Sequence, residues 1–335
     1  MNSLDTYLLR RIYKKIAKLG DKLAEIDTQI NWEAFHPVTQ SLYTNDTQRG
    51  GRPNTDEVMM VKLLVLQQWY GLSDPELEKQ ALNRLDFQSF LGFPEQPPDY
   101  STVWSFRERL ASTGKDKLLW AELQRQLDEA GLKVRKGVAQ DASFITADPG
   151  QCSGKPRGGD ALTRRSRDGA WAKRPKGSVF GYKLHVKTDL DLGLIRAVDV
   201  TSASVHDSRV DLSLPGEAVY RDKGYFGVEP RGWDATMKRG VRGHPLGEAD
   251  KARNRRIGSK RRPVERVFAV VKRVFHGGRV LVTSLPRVRV KLVFSCFCFD
   301  LLQLCSLGVV GCDGSGLRVE PREGHPLSVA YYGHC

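Results

Sequence analysis

No CxxC pair occurs among the six cysteines (Cys152, Cys296, Cys298, Cys305, Cys312 and Cys335), and the seven histidines do not fall at zinc-finger spacing. A zinc-stapled module is therefore excluded, and a 335-residue chain with so little cysteine is not a disulfide scaffold. Reduced thiols in an intracellular protein are the expectation. The start, MNSLDTYLLRRIYKK, lacks the apolar core of a signal peptide. Long hydrophobic runs are nearly missing as well. The most apolar stretch, residues 293–310, is eighteen residues long and contains Asp300. That is marginal for a membrane span, so a buried helix or strand is expected there and no membrane partner.

Acidic residues are scarce in one part of the chain. The whole carries 53 Lys and Arg against 39 Asp and Glu, a net charge of +14. Residues 1–130 hold 16 basic and 19 acidic groups, whereas residues 131–335 hold 37 and 20. A positive field confined to one part attracts polyanions, and nucleic acid is the first candidate. The 40% hydrophobic and 27% charged fractions are those of a folded soluble chain, and the length suits about two domains.

The pattern along the chain divides near Gly131. Residues 1–35 read as a charged helix and residues 36–54 as a loop. Asp56 and Glu57 then open the apolar run VMMVKLLVLQQWY, which ends at Gly71. Ser73 with Pro75 and Glu76 is a capping-box pattern for a helix continuing through LEKQALNRLDFQSFLGF. Ser101 is expected to cap a third segment, and residues 115–130 form a fourth. Residues 101–109 are a candidate reading helix of a helix-turn-helix. Beyond Gly131 the segment LKVRKGVAQDASFI alternates as a strand. A polar loop is expected over 147–178, then a hairpin through VFGYKLHVKTD and LGLIRAVDVTSA. A short helix near 206–214 follows, then a strand ending in AVYRD, a basic loop over 234–262 and a helix beginning at Pro263. The strand–helix order calls for a mixed α/β sheet with helices on its faces, and residues 308–335 are expected to be a disordered tail.

Three carboxylates stand out. Asp141 and Asp222 end predicted strands, where ligands gather in α/β sheets. Glu265 is the one acidic residue among fourteen Lys and Arg over residues 251–299. With Pro263 at the first helical position, Glu265 is also a favoured helix-start residue, so capping and metal ligation both remain open. On a helix, Arg261, Glu265 and Lys272 fall within about 60° of arc. The result is a basic–acidic–basic stripe, suited either to a phosphodiester or to surface salt bridges. Two Asp and one Glu supply the oxygen ligands that Mg²⁺ prefers, and two such ions can activate a nucleophile and stabilise a leaving oxygen. Lys260, Arg262, Arg255 and Arg256 extend the basic stripe towards DNA phosphates. The loop at 155–176, with Arg164, Arg165 and Trp171, is a second candidate DNA contact. His206 and Asp207 suggest either an active-site neighbour or a cap. His185 reads as a sheet residue satisfied by its neighbours.

The segments GRPNTDEVMMVKLLVLQQWYGLSDPELEKQ, VAQDASFI, FGYKLHVKTDLDLGLIRAVDVTSASVHDS, VYRDKGYFG and RRPVERVFAVVKR, in this order, resemble the DDE transposases of bacterial and archaeal insertion sequences, specifically group five. The resemblance runs from about residue 10 to 305. Asp141 matches the first Asp, and Asp222, before Lys223, Gly224 and Tyr225, matches the second. Arg261, Glu265 and Lys272 match the family's Tyr-Arg-Glu-Lys spacing, with Gly258 where that signature has Tyr. The resemblance implies a ribonuclease H-like catalytic domain over 131–307 and a helical N-terminal domain over 1–130 for DNA-end binding or dimerisation. It also implies two Mg²⁺ per site (or Mn²⁺) held by Asp141, Asp222 and Glu265, with Arg261 and Lys272 on phosphate oxygens. The implied reaction is hydrolysis at each element end, then attack of the freed 3′-hydroxyl on target DNA. The implied partners are the terminal inverted repeats, target DNA and at least a second protomer, in the cytoplasm at the nucleoid. A metal-dependent nuclease on the same fold, and a decayed DNA-binding protein without chemistry, are the alternatives.

Overall fold

The structure, a computed structural model, describes residues 4–43, 54–150, 166, 168–174, 177–313 and 316–319. The first part is helical: α1 (Leu4–Ala17), α2 (Lys22–Gln29), a 3-10 turn (Trp32–Phe35), α3 (His36–Gln40), α4 (Glu57–Tyr70), α5 (Asp74–Asn83), α6 (Leu85–Phe90), α7 (Tyr100–Thr113) and α8 (Asp116–Glu129). Local chemistry sets many of these ends. Asp56 accepts the amides of Val58 and Met59, and Gly71 closes α4 in the left-handed region. Ser73 accepts the Glu76 amide, as the capping-box pattern requires.

Three helical expectations are corrected. The expected first helix breaks at Gly20 (φ +95), where Asp21 caps a new one. The helix after Ser73 breaks at an extended Arg84, whose guanidinium lies over the rings of Tyr70 and Phe87. The third segment is capped by Asp99, which accepts from Thr102, while the Ser101 hydroxyl donates to Asp99. The expected loop after residue 35 also contains α3.

The second part is a mixed sheet. Its strands are β1 (Val138–Ala147), β2 (Ala170–Arg174), β3 (Gly177–Asp189), β4 (Ile195–Ser202), β5 (Ala218–Arg221), β6 (Trp233–Thr236) and β7 (Arg279–Val280). Across the sheet the order is β4–β3–β1–β5–β6. The β1, β3 and β4 pairs are antiparallel, and β5 and β6 run parallel to β1. A central first strand with a hairpin on one side and parallel strands on the other is the ribonuclease H-like arrangement. Strand β2 pairs with the first half of β3, so residues 170–174 of the expected loop are an edge strand.

Two long helices follow: α9 (Glu248–Arg273) and α10 (Leu285–Leu307). The expected basic loop up to 262 and the helix start at Pro263 are both overturned, because Pro263 lies inside the 26-residue α9. Proline lacks only its own N–H, so the Ser259 carbonyl alone loses its partner, and packing of Ile257, Val264, Val267, Phe268 and Val271 carries the helix through. The expected tail carries a hairpin of β8 (Val309–Asp313) and β9 (Gly316–Val319).

Helix α10 is the centre of the molecule. It is long and apolar enough to cross a membrane by length and composition, yet most of it is buried within the fold. It packs on α2, α4, α7 and α8 and also on β4 and α9. Apolar residues on every side of the helix match this two-sided burial. Phe297 is buried against Trp32, Phe35 and Phe294. Asp300 is buried too. It accepts the Ile195 amide at 2.8 Å, and burial pushes its carboxyl up to about 8.

Candidate active site

The two aspartates are brought together by strand register. Strands β1 and β5 are parallel neighbours with Ala139 opposite Tyr220. Asp141 and Asp222 each lie two residues past that pair, where β5 has ended and the two chains part. Only β5 ends here: β1 runs on to Ala147, so Asp141 lies within its strand and not at the strand end that was expected, while Asp222 does follow the end of β5. Asp222 is extended and caps a 3-10 turn (Lys223–Tyr225), its Oδ1 accepting the Gly224 amide at 2.7 Å. A Cβ on residue 224 would lie 2.9 Å from that oxygen, so glycine permits the close approach. Buried Arg221 stiffens the turn. Its Nε donates to Thr236 Oγ1 at 2.8 Å, and another nitrogen donates to the Val228 carbonyl.

Helix α9 lies along β1 and presents the stripe. Arg261 donates to Asp141 Oδ2 at 2.7 Å. Its Nε is buried without a partner, so the guanidinium is not fully satisfied by this contact. Lys272, three turns on, donates to Ser143 Oγ at 2.7 Å. Burial, then the charge of Arg174, pushes the Lys272 ammonium down to about 8. Glu265 lies between them on the same stripe. It is exposed and makes no ion pair or hydrogen bond among the described residues. Its position deep within α9 removes the helix-start explanation that Pro263 had suggested.

Electrostatics single out Asp141. Burial pushes its carboxyl up to about 6; Arg261 and the Ala142 amide oppose this, and the charges of Asp222 and Asp207 add to it. Two carboxylates on neighbouring strands are oxygen donors of the kind a divalent cation takes, and Arg261 is the present counter-charge of one of them. Among the described residues, no three His, Cys, Asp or Glu side chains are gathered as a ready metal cage. Asp141 and Asp222 share a strand register, whereas Glu265 is exposed on α9 and is not gathered with them.

The other predicted contacts are spread along α9. Arg255, Arg256, Lys260 and Arg262 are all exposed, and Lys260 donates to the Tyr220 hydroxyl at 2.8 Å. Arg164 and Arg165 lie outside the described residues. His206 is a cap, its Nδ1 accepting the Ser208 amide. The 206–214 segment holds only a 3-10 turn (Asp207–Arg209) where a short helix was expected. His185 bonds Thr201 Oγ1 at 2.8 Å on the sheet, and burial pushes it down to about 4, which keeps it neutral. Sequence reasoning missed Arg221. Its signal was an arginine ending a half-apolar strand.

Paired carboxylates at the mouth of a mixed sheet, flanked by a cationic helix, define a protein built to work on phosphate esters. Residues 133–301 match the family described as "Transposase DDE domain", and residues 10–109 match the family described as "Transposase domain (DUF772)". The chain therefore belongs to the DDE transposases, which cut and join DNA. Among solved structures, a piggyBac transposase synaptic complex with hairpin DNA is similar at 10% identity and a TM-score of 0.39. The match covers 88% of this chain and 78% of that one.

Proposed function

We propose that this transposase cuts the ends of a group-five insertion element and joins the freed 3′-hydroxyl to target DNA, with Asp141, Asp222 and Glu265 as its metal-binding carboxylates. The observation that supports this most directly is the shared register of Asp141 and Asp222 beside a helix whose cations already touch β1. Two Mg²⁺ ions, with Mn²⁺ as a substitute, would be held by these oxygens and would supply Lewis acidity at the scissile phosphate.

The remaining roles belong to the chain itself. Asp222 is held by its own turn, so its free oxygen points from a stiff support. Arg261 neutralises Asp141 until an anionic substrate arrives and then has an unsatisfied Nε to offer. Lys272, bonded to Ser143, fixes a positive charge two residues beyond Asp141 along β1. Glu265, unpaired on the same stripe, closes the set from the helix side. The exposed Arg255, Arg256, Lys260 and Arg262 track the DNA backbone, and positioning with fixed charge supplies most of the rate enhancement in such transfers. The DNA partners are the element's terminal repeats and the target duplex. Two ends must be held together, so the working form is a dimer or larger, acting in the cytoplasm at the nucleoid.

The test is nicking and strand transfer on DNA carrying an element end, with and without Mg²⁺. Wild type should nick only with the cation, and Asp141→Asn, Asp222→Asn and Glu265→Gln should each lose at least a hundredfold. Retained nicking by Asp222→Asn would remove the carboxylate assignment. Binding of DNA without nicking by wild type would favour the non-catalytic alternative.

A further inference from the structure

Helix α1 carries a bare apolar stripe. At ~100° per residue, Leu8, Leu9, Ile12 and Ile16 fall within about 100° of arc. Leu19, in the turn after the helix, continues the line. Leu8 (49%), Ile12 (50%) and Ile16 (42%) are each close to half exposed, and Leu19 is more so. Of the eighteen large apolar side chains exposed among the described residues, six lie between Tyr7 and Leu19. No other described helix exposes more than two. A patch of this kind on a folded chain marks a contact surface.

The rest of α1 is accounted for. A second arc tethers the helix to its own chain: α1 packs on α6, the Tyr13 ring meets Phe93 edge-on at 6.3 Å, and the Tyr13 hydroxyl donates to Asp21. Arg10 lies over the same Phe93 ring at 5.7 Å. A third arc holds Arg11, Lys14, Lys15 and Lys18, all exposed. Lys15 borders the stripe, and the other three lie further round. Asp5 is the one charged residue placed on the stripe, at its N-terminal end.

The spacing of the stripe says what fits it. Leu9, Ile12, Ile16 and Leu19 recur at steps of three and four, the spacing with which one helix docks lengthwise on another. A DNA backbone gains nothing from five aliphatic side chains. Among the described helices of this chain, the one that offers a matching exposed stripe is α1 itself. Two identical stripes can meet without bringing their basic arcs face to face.

We infer that α1 pairs with α1 of a second copy through Leu9, Ile12, Ile16 and Leu19, joining two protomers at their N-terminal helices. This deepens, and rests on, the reading above that the working form is a dimer or larger. The stripe is about 20 Å long. A standard interface buries roughly 800 Å² on each side, more than one short helix face supplies, so the contact is reversible by itself. Two protomers already held on DNA pair more fully, because their effective concentration is raised.

The test is sedimentation velocity of the full-length protein over a range of concentrations, without DNA or metal, with thermal melts to check folding. Wild type should shift from monomer towards dimer as concentration rises. Ile12→Glu together with Ile16→Glu places charges on the seam and should weaken dimerisation about a hundredfold with the fold retained. Ile12→Leu should dimerise like wild type, and so should Lys14→Gln with Lys18→Gln on the basic arc. A wild type that stays monomeric throughout would overturn the inference. So would a dimer that both glutamates leave intact, a result that keeps the two-protomer reading and removes α1 from it. Binding of a monomeric wild type to anionic vesicles, lost in the double glutamate variant, would assign the stripe to a lipid surface and overturn it too. Nicking is read in a separate assay, so failure of the carboxylate assignment and failure of this contact cannot be confused.

Discussion

If Lys272 holds a DNA phosphate as proposed, its lowered pKa predicts a pH-dependent DNA affinity. Burial pushes its ammonium down to about 8, and Arg174 adds to the push. A phosphate oxygen entering beside Ser143 favours the charged form, so DNA binds the protonated protein. Affinity then falls by a factor of about 1 + 10^(pH − 8). The loss is small at pH 7 and about tenfold at pH 9, or about 1.4 kcal/mol. Folding responds with the opposite sign. A lysine lowered in the folded state leaves the unfolded chain holding more protons above about pH 8, so the DNA-free protein gains stability as pH rises towards 10.5. The two trends cannot be confused. The assay is fluorescence anisotropy with element-end DNA at fixed ionic strength from pH 7 to 9.5, beside thermal melts. Lys272→Arg keeps its charge throughout and should bind with a flat profile. Lys272→Met should bind more weakly at pH 7 and also be flat. An undiminished wild-type affinity at pH 9, or the same tenfold fall in Lys272→Arg, would refute the reasoning.

Two further outcomes follow from single contacts. Gly224→Ala places a Cβ 2.9 Å from Asp222 Oδ1 and must turn that carboxylate. Nicking should fall at least tenfold while the circular dichroism spectrum and melting temperature stay close to wild type. Asp300, raised to about 8, is neutral in the fold at pH 7, so the unfolded chain holds fewer protons than the folded one between about pH 4 and 8. Stability is therefore lost as pH rises through that window. Asp300→Asn keeps an oxygen for the Ile195 amide. Its melting temperature relative to wild type should climb between pH 5 and 8, and a constant difference would show that the carboxyl is not the titrating group.

How much of this was legible beforehand varied with the range of the interaction. The Asp56 and Ser73 caps and the Gly71 stop are local chemistry and could be read directly. The hairpin of β3 and β4 followed from alternation around DLDL. Pro263 misled, because its preference for a helix start is weak against five buried apolar residues on α9, and Glu248 and Asp250 in the true first turn were the better sign. Asp99 rather than Ser101 caps α7, although both have capping side chains and lie two residues apart. Strand β2 was missed because an exposed edge strand carries little apolar pattern. The apolar run near 293–310 could be called buried, but not assigned a helix that serves both halves of the chain.

By itself the sequence determined the charge asymmetry, the helical and sheet halves, and the presence of Asp222 just after a short strand, because each depends on neighbours a few residues away; it put Asp141 at a strand end, whereas β1 continues six residues beyond it. Tertiary structure alone decided that Asp141 and Asp222 share a strand register, since parallel pairing of Ala139 with Tyr220 joins positions 81 residues apart. It also decided that Arg261 rather than Glu265 meets Asp141, and that the Tyr225 ring is sealed in the interior. Burial and electrostatic field are properties of the packed molecule, and no stretch of the chain carries them alone.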